Sequence, residues 1–407
     1  MPRPTVRLTL TSLGRNDWKI SDCEMNISEE VEECGFFEGY TLQRFVIITS
    51  FSLISLFGIL ANTLLMAVFW KTLPASVYLA CLASMDMLIC LTYLLLFGVD
   101  AGFVYLKDKT LFFLYHRYIV PIFFVAKTVQ FAIPFLLILI TLERYVWTTK
   151  EKTRQLFAPV FNDKGRCITV SILVGLSALL RLPVLFATEV KQFPHCNDYF
   201  RSESVSPAEW ASNSHAYYVF DFHVITAVQT CFPFFVLLIL NMVIVRRLVA
   251  EKKENTYTGV KHRMSGYALH TNPAQMQSTL SENIVLLEVA GEVMKETVMK
   301  RSDRGKRSQL RNAIYTMLAI VMSYLVCNGV HLFLTFLERT GSSLLYDSGD
   351  PNQSSNFYIA LSDTVSICYM VSSAIRILIY AKCNPKLRQE ISDYLHDRKK
   401  LSMENDS

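Results

Sequence analysis

Seven stretches of this chain are long and apolar enough to make lipid, not water, the solvent of the fold. They run over about 45–70, 72–99, 118–142, 167–188, 224–245, 312–337 and 357–381. Each reaches the roughly 20 residues needed to cross about 30 Å of hydrocarbon. Inside them the only formal charges are Asp86, Lys127, Arg181, Asp363 and Arg376, with His331 as the one histidine. Hydrocarbon offers backbone groups no partner, and these runs exceed the length of a barrel strand, so each predicts a helix. The composition agrees: 18% of the residues are charged, where a soluble domain carries about 25%. The expected fold is an all-α membrane protein, a seven-transmembrane helix bundle.

Basic residues orient the bundle. The connections after spans one, three and five and the C-terminal tail hold more than twice the Lys and Arg of the N-terminal tail and the other connections. Basic loops stay in the cytoplasm, so the N-terminus is expected outside and the C-terminus inside, in a multi-pass protein of the plasma membrane. Residues 1–43 then form an extracellular tail, 44–395 the bundle and 396–407 a cytoplasmic tail, with a long cytoplasmic loop at 246–308. The tail has no apolar core of the kind a cleaved signal needs, so the first span is expected to carry it across. Sequons at Asn26 and Asn352 fall on the outer side, where glycosylation would occur.

Several functions are excluded. HExxH, GxSxG, P-loop and GxGxxG patterns are absent from the sequence, so no catalysis and no cofactor or metal is expected. The net charge of +5 is explained by basic loops facing anionic lipid, without a nucleic-acid partner. No internal repeat suggests an inverted-repeat transporter.

Several short motifs then fall in register with the spans. Span one contains Gly58 and Ala61-Asn62, and span two contains Leu82-Ala83-Ser84-Met85-Asp86. Span three ends in Glu143-Arg144-Tyr145, and span five contains Phe232-Pro233. Span seven ends in Ile379-Tyr380, followed by Asn384-Pro385-Lys386-Leu387-Arg388. Together these make the bundle resemble the rhodopsin-like G-protein-coupled receptors. Tyr118, Pro121, Thr128 and Glu143-Arg144-Tyr145, with Ile377 where other relatives have the Pro of NPxxY, resemble the FMRFamide-type peptide receptors of invertebrates. The resemblance implies a short amphipathic helix along the inner membrane face after span seven. Departures are plain as well. Cys327-Asn328-Gly329-Val330 stands where relatives have CWxP, and Ile119 where they have the Cys that bridges to the second outer connection. Span four has no Trp.

The resemblance assigns roles. Arg144 and Tyr380 would meet the G protein, with Glu143 holding Arg144 at rest and Tyr145 beside it. Leu310 replaces an acid that tethers this arginine to span six in some relatives, so basal activity is expected. Asn62, Pro233 and Asn328 would be bundle-core positions. In many relatives the acid at Asp86 binds sodium with neighbours that here are Ile133, Asn328 and Arg376. A charge inside a helix span is costly, and two readings of Arg376 stand: it bridges to Asp86 in place of sodium, or it snorkels to the head groups.

Lys127, Gln130, Arg181, Asp221, His331 and Asp363 are the ligand-cavity candidates by the same resemblance. Ala126 occupies the position of the acid in amine receptors, which argues against amine ligands. The two cations favour an acidic ligand, whereas an amidated Arg-Phe peptide would need an acid from Asp363, Glu189 or Asp221. Cys23, Cys34 and Cys196 lie on the oxidising side, and either Cys23–Cys34 or Cys196 with one of the two could form. The expected partners are an extracellular peptide or small-molecule ligand, a heterotrimeric G protein and the bilayer. The expected function is peptide reception, with a chemosensory receptor for a small acid and a transporter or scaffold as the rivals.

Overall fold

The computed structural model describes Cys34 and residues 42–72, 77–147, 149, 151–247, 312, 314–340, 343–345 and 355–405. Cys23, Asn26, Asn352, Leu310 and the loop beyond residue 247 lie outside them. The described chain contains seven helices long and apolar enough to cross a membrane: Leu42–Lys71, Val77–Leu106, Lys109–Trp147, Asp163–Ala187, His215–Arg247, Ile314–Thr340 and Asn356–Cys383. We refer to these as spans one to seven. Most overrun the apolar runs that announce them, because a helix continues into polar sequence until a cap or breaker stops it. Span three has 39 residues, or about 58 Å at 1.5 Å per residue.

The breaks are local and chemical. Span two ends where Lys107 turns left-handed, φ 55°. The Asp108 carboxylate then accepts the Leu111 amide at 2.9 Å to begin span three. Asn162 caps span four by accepting the Gly165 amide at 2.7 Å, and Ser355 caps span seven. Span five carries π-helical turns over Val219–Ile225 and Ala227–Cys231. The second turn immediately precedes Phe232-Pro233, where the missing amide and the bulk of the ring disfavour a regular ladder.

The core centres on spans one, two, three, six and seven, with Leu65, Phe69, Tyr93, Leu137, Ile320, Ala374 and Tyr380 all buried. Large apolar side chains such as Leu53, Leu60 and Trp70 remain exposed on span one, as a lipid-facing surface requires. A helix over Pro385–Asn405 follows span seven. At 21 residues it is longer than the short helix expected from the sequence. Asn384 caps it, accepting the Leu387 amide at 3.2 Å. Its Leu387, Ile391 and Tyr394 pack on the core.

One element was not legible in the sequence. Strands β1 (Thr188–Gln192) and β2 (Glu203–Pro207) form an antiparallel hairpin between spans four and five. Val190, Tyr199, Phe200 and Val205 pack against Phe103, Phe112, Tyr115 and Ile119 of spans two and three. Ile119, which replaces the expected Cys, therefore meets the hairpin region through an apolar cluster. Cys196, in the hairpin turn, is bonded to Cys34.

Candidate functional site

A cavity opens among spans three to seven on the hairpin side of the bundle. Its wall includes Lys127, Gln130, Arg181, Asp221, Gln229, His331, Glu338, Tyr358 and Tyr369. Five of the six residues expected there from the sequence line it. Asp363 does not: it pairs with Arg44 of span one at 3.5 Å. Glu189 is likewise diverted, lying on β1 and pairing with Lys191 at 3.6 Å. Glu338, Gln229, Tyr358 and Tyr369 line the cavity without having been singled out in the sequence. The usable signal was Glu338, an acid one residue past the sixth apolar run.

The charges around this cavity are unevenly satisfied. Arg181 donates to Asp221 at 3.0 Å and also to the Gln229 side-chain oxygen. Glu338 accepts from the Tyr358 hydroxyl at 2.8 Å. Lys127 has the Phe123 ring 5.2 Å from its ammonium. Among the described residues it forms no ion pair and no hydrogen bond.

Polar side chains bridge three helices at the cavity floor. The His331 ring nitrogen lies 2.8 Å from the Tyr369 hydroxyl, which donates to Asn328 Oδ1 at 2.6 Å. The Asn328 amide in turn reaches the Thr230 carbonyl, at 3.4 Å, inside the π-helical turn of span five. Asn328 thus fills with hydrogen bonds the place for which the resemblance leads one to expect a Trp.

Deeper in the bundle, Arg376 Nη1 stands 2.5 Å from Asp86 Oδ2. The guanidinium turns inward, so it does not snorkel. Asn62 is held beside them, donating to the Gly58 and Ser373 carbonyls at 2.9 and 3.1 Å. A sodium ion, which the resemblance implies at Asp86, does not fit these residues. The cationic position against the carboxylate is taken by a tethered guanidinium, and Ile133 offers no donor.

At the end opposite the hairpin, the reading that Glu143 restrains Arg144 needs correction. Glu143 Oε1 accepts from Arg166 of span four, Nη2 at 2.6 Å and Nε at 3.2 Å. Consecutive helical residues point in different directions, so Glu143 can face span four while Arg144 cannot. Asp163 reinforces the arrangement at 3.1 Å from Arg166. Arg144 is left with a buried Nε that has no hydrogen-bond partner among the described residues. Tyr145 accepts from Arg247 of span five at 3.0 Å and lies under its guanidinium. Tyr380 is buried, with its ring edge-on to Phe69 at 5.5 Å.

Comparison with known proteins adds one match. The family model described as 7 transmembrane receptor (rhodopsin family) covers residues 60–380. No curated protein matches the chain.

Proposed function

Because the chain belongs to the rhodopsin family of seven-transmembrane receptors, we propose that it binds an extracellular peptide and activates a heterotrimeric G protein. The family is one of receptors and not of enzymes. In this reading the hairpin end faces outward from the plasma membrane, and the basic end that carries Arg144 faces the cytoplasm. The observation that carries it is the state of Arg144. Its neighbouring acid is committed to Arg166, so the guanidinium is available to the C-terminal helix of a Gα subunit. Tyr145 follows Arg144 in the helix, and Tyr380 lies within electrostatic reach of it. The run from Tyr118 to Tyr145 and Ile377 support a neuropeptide of the FMRFamide kind as the ligand. A ligand cation would find Glu338, the cavity acid that holds no ion pair among the described residues.

A second reading, a receptor for a small acidic molecule, is favoured by Lys127, which forms no ion pair among the described residues. The test is G-protein activation in cells expressing the wild type or Arg144→Ala, challenged with short neuropeptides in amidated and free-acid forms. A saturable response that disappears in Arg144→Ala is the expected result. A response that survives the substitution, with equal surface expression, would sink the proposal.

A further inference from the structure

The charges of the cavity define what is missing from it. Asp221 is neutralised by Arg181 at 3.0 Å. Glu338 is hydrogen-bonded to Tyr358 at 2.8 Å. Lys127 faces the Phe123 ring at 5.2 Å; Asp221 and Glu338 act on its charge from across the cavity, but among the described residues it forms no ion pair and no hydrogen bond. A cation–π contact recovers only part of what a lysine loses when it is drawn out of water among packed helices. An anion placed on the ammonium would recover the balance. The pocket that surrounds it is already built, with Gln130 on the same helix and Arg181 across the cavity.

We propose that Lys127 anchors a carboxylate of the ligand, so the natural agonist is an acid: a peptide with an acidic side chain or a free C-terminus, or a small organic acid. Arg181 does not share this role, because opening its pair with Asp221 would leave a buried carboxylate unpaired, which is costly. The inference rests on the receptor reading and narrows its ligand class: an FMRFamide-like peptide satisfies it only if it carries an acidic residue, and an amidated peptide without one does not. It also orients the ligand. The acid group points to span three, and a donor or cation on the same molecule would reach Glu338 on span six. A ligand that joins these two helices could favour one arrangement of the bundle over another, which is how binding shifts a conformational equilibrium.

The test is direct binding to the purified full-length chain, read by thermal unfolding, with matched acid and amide probes. The probes are the tetrapeptide Phe-Met-Arg-Phe as free acid and as amide, and N-acetylphenylalanine with its amide. The acids are expected to stabilise wild type at concentrations about tenfold or more below their amides, as one charge-assisted contact allows. Lys127→Met should abolish that preference and Lys127→Arg should keep it. Without ligand, Lys127→Met should unfold no earlier than wild type, because it removes a charge that forms no ion pair; this checks that the variant folds. Amides binding as well as the acids, an acid preference that survives in Lys127→Met, or no acid binding at all would each overturn the proposal. No G protein takes part in this readout, so its failure and failure of the signalling assay are separate results.

Discussion

Arg376 and Asp86, 290 positions apart in sequence, meet at 2.5 Å with side chains 2% and 1% exposed. Span seven is thereby tied to span two at the level where Asn62 of span one donates to the Ser373 carbonyl. The contact converts two charges that are each costly in the membrane into one neutral unit. It also places a cation that cannot diffuse away beside the acid of span two.

Breaking that pair from one side should be severe. Asp86→Asn and Arg376→Met each strand a buried charge, or half of one pair's hydrogen bonding, at a cost of about 3–5 kcal/mol. The exchange Asp86→Arg with Arg376→Asp should recover more than half of the loss, as coupled sites do. Thermal unfolding of the purified chain measures all three, together with Asp86→Arg and Arg376→Asp alone, which complete the cycle. Additive losses in the exchanged variant would refute the pairing. Replacing sodium chloride with choline chloride should leave the wild-type midpoint unchanged.

The Arg166–Glu143 contact makes a prediction of opposite sign to the usual removal of an ion pair. Arg166→Ala frees the Glu143 carboxylate, which would then attract Arg144 electrostatically. Glu143 is buried, where a charge-assisted contact is worth about 1.5–3 kcal/mol, so ligand-independent nucleotide exchange should fall by about tenfold or more. Lysine at 166 should keep most of the wild-type signal. An increase in basal exchange in Arg166→Ala would show that Glu143 does not compete for Arg144.

The seven helices were legible because apolar length alone decides a membrane span, and length survives any detail of packing. The intramembrane charges were legible for the same reason: Asp86 and Arg376 are conspicuous in an apolar run. Which partner each charge takes was less so. Asp363 was expected at the cavity and instead meets Arg44, because a helix face is set by rotation about the axis and not by depth along it. Glu143 was assigned to Arg144 by the resemblance, although neighbouring helical residues diverge. The β1–β2 hairpin escaped because Thr188–Gln192 and Glu203–Pro207 are short and polar, and their pairing depends on the apolar cluster beneath them. Glu338 and Tyr358 escaped because the cavity is a property of five helices together.

Gly58 lets span one pack closely against spans two and seven. A β-carbon there would stand 2.6 Å from Cys90 Sγ and 2.8 Å from Ala374 Cβ. Alanine in a helix gains about 1 kcal/mol over glycine, but neither obstructing group is long enough to swing aside. Overpacking of a filled core costs about 1–3 kcal/mol, so steric conflict should win. Gly58→Ala is expected to lower the thermal midpoint, and Ala374→Gly to restore part of it. A midpoint raised by Gly58→Ala would mean that the spans separate at no cost.

The disulfide supplies the last test, because it selects among pairings that the sequence left open. Cys196 sits in the β1–β2 turn, and Cys34 lies 162 positions earlier, so the bond ties the N-terminal segment to the hairpin. Its removal should cost about 2–5 kcal/mol. Cys34→Ser and Cys196→Ser remove the same bond, so each should lower the midpoint equally and the double variant no further. Cys23→Ser should have no such effect. The aromatic cluster under the hairpin, Phe103 with Phe112 and Tyr115, does not depend on the bond. The bundle should therefore remain folded in mild reductant, while ligand affinity falls because the tail is no longer held at the hairpin beside the cavity mouth. Mass spectrometry of the unreduced protein should find the Cys34–Cys196 crosslinked peptide. Finding Cys23 bonded to Cys34, with Cys196 free to alkylate, would reject this account of how the hairpin is held.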